Sequence, residues 1–282
     1  MKNTKTDDSA PLEALMRRCA QAQEQRAAWE PLWREAYNFA LPQRNGFSST
    51  PAGGRQTDHL YDATALDAAE KLAASLLGNL TPPWTQWFGF KPGPDLTPLE
   101  AERLAPVLEK AAKTVQAQFD RSNFIVEMHQ CFLDLVVGGT AALYLEETEP
   151  GSFSAFRFSS VPLNQIMLEE GGDGFLNGGY RLLQLTLSQL RERYPAAAIP
   201  VSVIRDGTTD AQRRFRLIET ILPGANGTFE FAALLAEDSV PTVLHNGSFS
   251  ESPLIAFRWL KTPGEIYGRS PVMKALPDIK TA

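Results

Sequence analysis

The chain has 282 residues, 43% of them hydrophobic and 21% charged, which is enough for one large domain or two modest ones with a real core. Its net charge of −6 argues against a protein whose main task is to bind nucleic acid tightly, because that task needs a basic surface. The sequence shows neither the apolar core of a signal peptide nor a run of the ~18 apolar residues that span a bilayer. We therefore expect neither export by that route nor a membrane-embedded protein.

The first predicted elements are helices between Pro11 and about Ala40. Trp29, Trp33 and Tyr37 recur at every fourth position, so they share one helix face. Large aromatic residues are mostly buried, which favours a packing seam over a ligand site for this face. Pro31 is expected to break the pattern into two helices or to begin the second one.

A long loop rich in glycine, proline and serine is predicted from Leu41 to Leu60. Loops of more than ~15 residues usually serve a function or move. Arg44 and Arg55 lie in this loop and could contact a partner or a phosphate. The favoured interpretation is that both arginines are simply solvated.

The stretch from Asp62 to Phe90 is the most distinctive part of the chain. Alanines and leucines at helical spacing predict a helix to Leu80 with one broad buried face, and Thr64 with Asp67 fits a capping box at its start. Prolines at positions 82 and 83 end this helix. The aromatic residues that follow are expected to pack on the core, which is favoured, or on another chain; they are Trp84, Trp87, Phe88 and Phe90.

Two more helices complete a mainly helical first half. One is predicted from Pro98 through Phe119, with Thr97 before it, and the next from about Ile125 to Val137, ended by Gly138-Gly139. The run TAALYLEET that follows is the first convincing strand. The shift in composition near residue 140 predicts an α+β fold, in which a helical N-terminal half precedes an antiparallel β-rich segment.

The β-rich segment is predicted to extend to Trp259. Alternation in SFSAFRFSSVP indicates a strand with one register shift, and a short strand follows from Asn164 to Glu170. GGDGFLNGG predicts a hairpin turn, because it lacks the phosphate-loop pattern and the alternating oxygen ligands of a calcium loop. The remaining elements are a strand at Gly179 to Leu187, a short helix at Leu187 to Tyr194 capped by Ser188, and a meander with hairpin turns at Asn226-Gly227 and Asn246-Gly247.

The sequence carries no pattern for catalysis, a metal or a cofactor. His59, His129 and His245 form no paired-ligand spacing, and Cys19 and Cys131 lie far apart, as in a reduced, intracellular protein. A dyad of His129 with Cys131 is not favoured, because the two side chains point apart on a helix. The acids after the first strand are most simply a solvated turn; they are Glu146, Glu147 and Glu149. We therefore predict that the protein is not an enzyme and binds no metal and no cofactor.

The C-terminal stretch carries a second motif, with SPL at 252–254, RW at 258–259, GEIYGRSP at 264–271 and ALPDI at 275–279. This order is similar to the E-x-P-L…R-W…G-E-x-Y-G-R-S-P…A-L-P-D-I-K sequence of the head-to-tail connecting (portal) proteins of short-tailed bacteriophages. The helix that ends in LTPP, with the W-F segment after it, resembles the same family. Two matches in the same order are more specific than either one alone.

The resemblance implies structural work and not catalysis. Portal proteins form a ring, usually a dodecamer, at one vertex of the capsid, through which the terminase motor packages double-stranded DNA and the DNA leaves at infection. The implied partners are other copies of the chain, terminase, capsid and tail proteins, and DNA that passes without sequence-specific binding; no membrane is implied. The implied location is the virion, assembled in the host bacterial cytoplasm.

The resemblance also implies an organisation of the chain. Residues 1–140 would be a mainly helical wing segment, residues 141–265 a β-rich wing segment, and residues 266–282 the start of a stem helix. Ser270 fits a helix cap, Pro271 suits a first turn, and no stop signal follows. Together with the resemblance, this pattern predicts the N-terminal portion of a longer polypeptide.

The candidate residues for a subunit interface or the core are Trp84, Trp87, Phe88, Tyr267 and Arg269. Arginine is favoured at interfaces, although a local role in starting the last helix is the simpler interpretation of Gly268 to Pro271. The alternative function is a monomeric α+β enzyme or binding protein with an aromatic-lined pocket. A tail adaptor fits less well, because both motifs are those of the ring subunit.

Overall fold

The computed structural model describes residues 9–47, 62–237 and 241–281. Its first half is helical and its second half mainly antiparallel β-structure, so the predicted α+β fold is confirmed. The helices of the first half are α1 (Ser9–Ala27), α2 (Glu30–Ala40), α3 (Thr64–Leu80), α4 (Pro98–Arg121) and α5 (Phe124–Gly138). Within the described ranges, no helix combines the length and the apolar character that crossing a bilayer requires.

The first helical stretch divides next to Pro31, as predicted. α2 begins at Glu30 with Pro31 in its first turn, where the missing N–H of proline removes no helical hydrogen bond. Trp33 and Tyr37 on α2 are buried, and Trp29 stacks on Trp33 with ring centroids 5.9 Å apart. The predicted aromatic packing seam is therefore confirmed.

Side chains set the starts of α3 and α4. At α3, a carboxylate oxygen of Asp62 accepts hydrogen bonds from the backbone N–H of Thr64 (2.7 Å) and from its hydroxyl (2.6 Å). The predicted capping box of Thr64 with Asp67 is therefore wrong, since the N-cap residue is Ala63 and the acid that accepts these hydrogen bonds precedes it. At α4, Thr97 and Glu100 form a reciprocal capping box, as their spacing indicates.

The strands form two antiparallel sheets within the described part of the chain. Their ranges are β1 (Thr140–Glu147), β2 (Phe156–Ser160), β3 (Ile166–Glu170), β4 (Leu176–Leu185), β5 (Phe215–Pro223), β6 (Phe229–Leu235), β7 (Thr242–Phe249) and β8 (Leu254–Arg258). One sheet has the order β2-β1-β8, and the other has the order β3-β4-β5-β6-β7. The last strand in the sequence thus returns to pair with the first.

Turn predictions in the β-rich segment are partly confirmed. Residues 171–175 of the GGDGFLNGG segment form the turn between β3 and β4, and residues 176–179 already belong to β4. Asn226 with Gly227 turns the chain between β5 and β6 with φ of 59° and 76°. Asn246-Gly247, by contrast, lies inside β7 and pairs with β6, so the hairpin turn predicted there is wrong. The register shift predicted within SFSAFRFSSVP, between Ala155 and Phe156, is also wrong, because β2 begins only at Phe156 and the β1–β2 ladder is continuous.

Helices α6 (Leu187–Arg193), α7 (Val201–Thr209) and α8 (Pro271–Ile279) interrupt and end the β-rich segment. The sequence pattern does not predict α7, because its residues lie between strand patterns. α6 is capped by Thr186, whose hydroxyl accepts a hydrogen bond from the N–H of Gln189, and not by Ser188 as predicted. α8 begins as predicted, with Ser270 as its cap.

α5 lies at the centre of the fold. It packs against α2, α3 and α8 and against β1 and β2, and all of its residues from Cys131 to Gly138 are buried. Its apolar side chains join those of the strands in one large core. The helical and β-rich parts therefore share a core across residue 140.

A buried carboxylate connects the two sheets. Glu219 on β5 is fully buried and accepts hydrogen bonds from Arg193 Nε (2.7 Å) and the hydroxyl of Tyr194 (2.6 Å). Arg193 also reaches Glu146 on β1 at 3.2 Å. Glu146 is thus half-buried in an ion-pair cluster, whereas the sequence predicts a solvated turn; Glu147 and Glu149 are exposed.

Arg44 is not the solvated side chain that the sequence analysis favours. Its guanidinium forms two hydrogen bonds to the buried carboxylate of Asp134 on α5, at 2.7 and 2.6 Å. Tyr37 donates a third hydrogen bond to Asp134, at 2.7 Å. Arg44 therefore holds the chain after α2 against α5, while Arg55 and His59 lie outside the described residues.

Replacing Arg44 should destabilise the fold strongly. Arg44→Ala leaves the carboxylate of Asp134, whose side chain is 2% exposed, without its charge partner. Breaking one side of a buried ion pair typically costs about 3 to 5 kcal/mol, and we expect a loss in this range. Urea denaturation, monitored by tryptophan fluorescence, measures this loss in the free energy of unfolding.

Lys113→Ala is the matched control. It removes a helical ion pair with Glu109 in which both side chains are about two-thirds exposed. The expected change in the free energy of unfolding is less than about 0.5 kcal/mol. Equal losses for the two variants would contradict a structural role for Arg44.

Candidate functional site

The aromatic segment after α3 is divided between surface and core. Trp84 is 75% exposed, although its ring lies beside Gly78 at the end of α3. Leu80 before it and Phe90 after it are 57% and 47% exposed. A large aromatic side chain that is mostly in water is unusual, and such residues mark interaction surfaces when they occur together.

Trp87 and Phe88 are turned inward. The Trp87 ring lies parallel to Phe119 at 6.0 Å and to Phe124 at 5.7 Å, with interplanar angles of 11° and 10°. Phe88 meets the edge of Trp87 at 5.0 Å and Phe119 at 5.8 Å. These rings pack on one another between α4, α5 and the three-stranded sheet.

Tyr267 in the C-terminal motif is part of the core. It is 1% exposed, and its ring meets Trp33 edge-on at 4.8 Å. Its hydroxyl oxygen accepts a hydrogen bond from the backbone N–H of Leu168 on β3, at 3.2 Å. Burial raises the pKa of Tyr267 to about 12. The residue ties the motif to α2 and to the larger sheet at once.

Arg269 lies at the surface and bridges two elements. Its guanidinium forms a two-pronged ion pair with Glu265 and stands 4.7 Å above the ring of Trp29. A cleft of about 400 Å³ opens beside it, between the end of α1 and the motif. The side chain of Arg269 remains 45% exposed, so it can also reach a neighbouring molecule.

The closest approach in this region is between two backbones. A Cβ atom on Gly139 would clash with the carbonyl oxygen of Gly268, and one on Gly268 would clash with the carbonyl oxygen of Gly139. Gly139 also has φ of 76°, which favours glycine. The sequence predicts a turn at each position, but only the structure shows that the two glycines touch.

Hydrogen bonds surround this glycine contact. The N–H of Gly268 donates to the hydroxyl of Thr140 at 2.8 Å, and the hydroxyl of Ser270 donates to the carbonyl of Val137 at 2.8 Å. Ser270 also accepts from the N–H of Met273 at 2.9 Å, which caps α8. Sequence reasoning found the cap but missed the bond to Val137, because that partner is distant in the chain.

Both cysteines are buried in the described structure. Burial raises the pKa of the Cys131 thiol to about 12 and that of Cys19 to about 11, so both are protonated near neutrality and poor nucleophiles. No group of three or more histidine, cysteine or acidic side chains within the described ranges is placed to hold a metal ion.

Comparison with known proteins identifies the relatives of the chain. The profile of the family described as bacteriophage head to tail connecting protein matches residues 12–282. The chain belongs to this head-to-tail connecting protein family. Family members are structural proteins and not enzymes.

Two proteins that are similar to this chain are named as portal proteins. The chain is 24% identical to the probable portal protein of Bordetella phage BPP-1, over 94% of this chain and 50% of that protein. It is 22% identical to the portal protein of Salmonella phage epsilon15, over 95% of this chain and 50% of that protein. The chain thus spans about half the length of these relatives.

The contact between the two glycines should be intolerant of any side chain. Gly268→Ala places a methyl group against a backbone oxygen that cannot rotate away, and we expect a loss of about 3 kcal/mol in the free energy of unfolding. Gly89→Ala is the control, because its Cβ would meet nothing within 4 Å. Chemical denaturation measures the free energy of unfolding of both variants. A Gly268→Ala protein that is as stable as the control would refute the contact.

Tyr267→Phe should change how stability depends on pH. In the native protein the Tyr267 hydroxyl has a pKa of about 12, whereas in the unfolded chain it ionises near ~10. Its contribution is therefore complete below pH ~10 and is lost as the pH rises toward ~12. As the pH rises from 8 to 11, the free energy of unfolding should therefore fall by about 1.4 kcal/mol less in the variant than in the unsubstituted protein.

Urea denaturation at pH 8, 10 and 11 measures this difference. At pH 8 the variant should already be about 1 to 3 kcal/mol less stable, because the buried N–H of Leu168 loses its partner. Stability curves that run parallel from pH 8 to 11 would show that the hydroxyl is not buried as described.

Proposed function

We propose that this chain is part of a subunit of the phage portal ring, through which genomic DNA is packaged into the capsid and later ejected. The observation that carries the proposal is the family match over residues 12–282, supported by two relatives named as portal proteins. The proposed partners are other copies of the chain, terminase, capsid and tail proteins, and DNA. The proposed location is the virion, after assembly in the host bacterial cytoplasm.

The proposal assigns the chain to the wing of the ring subunit and the entry to its stem. Residues 1–140 and 141–265 would be the helical and β-rich segments of one wing, and their shared core around α5 supports this unity. Residues 266–282 would lead into a stem helix, which fits the firm start of α8 at Ser270. The length of the relatives, about twice the matched portion, leaves room for the remaining parts of a portal.

We further propose that the exposed part of the aromatic segment contacts a neighbouring subunit. Leu80, Trp84 and Phe90 leave a large apolar area in water, and tryptophan is enriched among the residues that contribute most to binding. Trp87 and Phe88 support this surface from inside by packing on Phe119. Arg269, which is exposed beside its cleft, is proposed as a second contact point.

The charge of the chain is compatible with a passage for DNA. A surface that bound phosphates strongly would hold DNA in place, because each neutralised phosphate adds to affinity. With 33 acidic and 27 basic residues, the chain is mildly acidic as a whole. The proposal therefore includes DNA as a passing partner without sequence-specific contacts.

An enzyme with an aromatic-lined pocket is the alternative that the aromatic segment suggested. The rings of Trp87, Phe88 and Phe119 lie against one another, and Trp84 is open to solvent, so this segment lines no cleft among those found in the described residues. Neither observation favours a substrate site. The ring subunit is the function that the family and the surface support together.

Imaging the complete gene product tests the proposal directly. Negative-stain electron microscopy should show rings with a central channel, and analytical ultracentrifugation should give the mass of a high-order oligomer. A product that stays monomeric at micromolar concentration and shows no rings would refute the proposal.

Trp84→Ala should separate assembly from folding. Because the side chain is 75% exposed, its loss should change the stability of the subunit by less than about 0.5 kcal/mol. At a subunit interface, the loss of a central tryptophan costs about 2 kcal/mol or more per contact. We therefore expect a folded protein whose rings form only at a concentration at least about tenfold higher, as measured by ultracentrifugation.

Trp87→Ala is the contrasting variant. Its ring packs on Phe119 and Phe124, so truncation should lower the free energy of unfolding by about 3 kcal/mol. If Trp84→Ala forms rings at the same concentration as the unsubstituted protein, the aromatic surface is not part of an interface. That outcome would leave the proposed ring itself intact, formed through other contacts.

A further inference from the structure

α4 is a long helix that the rest of the described chain hardly covers. Of its 24 residues, only Ala112 is buried. Leu99, Leu104 and Val107 in its N-terminal half are 58%, 39% and 62% exposed. Since helices in proteins gain most of their stability by burying an apolar face, this half of α4 presents an apolar strip that lacks a cover in the described chain.

Positive charge runs beside this strip. Leu99, Arg103 and Val107 follow one another at intervals of four residues, and Lys110 lies one turn beyond Val107. Arg103 and Lys110 are both exposed. Glu100 lies on the same side, but its carboxylate is turned back to the N–H of Thr97, at 2.9 Å. The outward side of α4 is therefore apolar and basic.

A groove of complementary character lies between α3 and α8. Its volume is about 420 Å³, within the range of ~300 to 1,000 Å³ that is typical of binding sites. It is lined by small and apolar side chains of both helices and of α5 beneath them; they are Ala65, Ala68, Ala69, Leu72, Val136, Pro271, Val272, Ala275 and Ile279. Asp62 and Asp278 complete the lining together with Thr64, and no lysine or arginine is among these described residues.

The two surfaces match in shape and in charge. Alanines on both walls of the groove allow a helix backbone to approach closely. The apolar residues of the α4 strip lie five, three and eight positions apart (Leu99 to Leu104, Leu104 to Val107, Leu99 to Val107), so they share one side of the helix, as in a helix that docks in a groove. The acids of the groove would meet the bases of α4. Both surfaces are exposed in the same chain, so neither covers the other within one copy.

We propose that the N-terminal half of α4 from one copy docks in the α3–α8 groove of a second copy. Leu99, Leu104 and Val107 would enter the groove, and Arg103 and Lys110 would face Asp62 and Asp278. The inference rests on the proposed function, and it names the contact between subunits. Because the contact joins two different surfaces, it repeats from copy to copy and closes into a ring when the rotation permits.

Charge reversal in the complete gene product tests the contact. The double variant Arg103→Glu with Lys110→Glu should raise the concentration for half-assembly at least tenfold in ultracentrifugation, and so should Asp62→Lys with Asp278→Lys. Because Asp62 also accepts the hydrogen bonds at the start of α3, the free energy of unfolding of this second variant is measured alongside, and Asp278→Lys alone should weaken assembly while those bonds stay intact. Combining all four changes restores opposite charges, and should recover at least part of the lost assembly. Arg191→Glu with Arg205→Glu is the matched control on exposed sites of α6 and α7, and should assemble normally.

The outcomes separate this contact from the proposed function. If the unsubstituted product forms rings and both reversals leave assembly unchanged, the α4 contact is overturned and the proposed function stands. If the reversals weaken assembly but the fourfold variant shows no recovery, the pairing of these charges is overturned. A product that forms no oligomer at all overturns both proposals.

Crosslinking checks the geometry without relying on charge. Ala68→Cys in one tagged copy and Val107→Cys in another should form a disulfide only when the two are assembled together, because the bond requires Cα atoms within ~7 Å. The native cysteines are both buried, so they should give little background. Absence of a crosslinked band in mixed rings would overturn the contact. So would a comparison pair, Ala68→Cys with Arg191→Cys, that gives as much crosslinked product as Ala68→Cys with Val107→Cys.

Discussion

The described structure depends on the contact between the backbones of Gly139 and Gly268. Gly139 links the central helix α5 to strand β1, and Gly268 belongs to the motif that leads into α8. The carbonyl of Gly139 also accepts a hydrogen bond from the N–H of Trp259, just after β8. One crowded point thus positions the central helix, the three-stranded sheet and the last helix relative to one another. Only glycine permits that approach at both positions.

The molecule distributes charge and apolar surface in an unusual way. The carboxyl groups of Asp134 and Glu219 are buried, each held by arginine and tyrosine, while Trp84 and the apolar strip of α4 face solvent. Buried ion pairs rarely add net stability, but removing one partner is costly, so they favour one arrangement of the elements. Exposed apolar faces of this kind mark interaction surfaces, which supports the proposed contacts between copies of the chain.

The sequence predicts structure correctly where the stabilising contacts join residues that are close in the chain. The capping box at Thr97, the helix start at Ser270 and the turn at Asn226-Gly227 depend on residues within a few positions of one another. The pairing of β8 with β1 and the ion pair of Arg44 with Asp134 join residues about a hundred positions apart, and no short pattern encodes them. Asn246-Gly247 was misread because its strand partners, and not its own turn propensity, decide its conformation.

The sequence indicates which residue types could form an interaction surface, but not which of those residues are exposed. The sequence marked Trp84, Trp87 and Phe88 as one cluster, yet only burial could show that the first faces outward and the others inward. The α4 strip escaped notice because exposed leucines resemble core leucines in a helical pattern.

The attachment of α8 has a mechanical consequence. The bonds from Ser270 to Val137 and from Gly268 to Thr140 lie side by side at its base, with the tyrosine at 267 anchored to β3. Because these bonds join the base of α8 to α5, β1 and β3, a force applied to α8 is shared by three elements of the body.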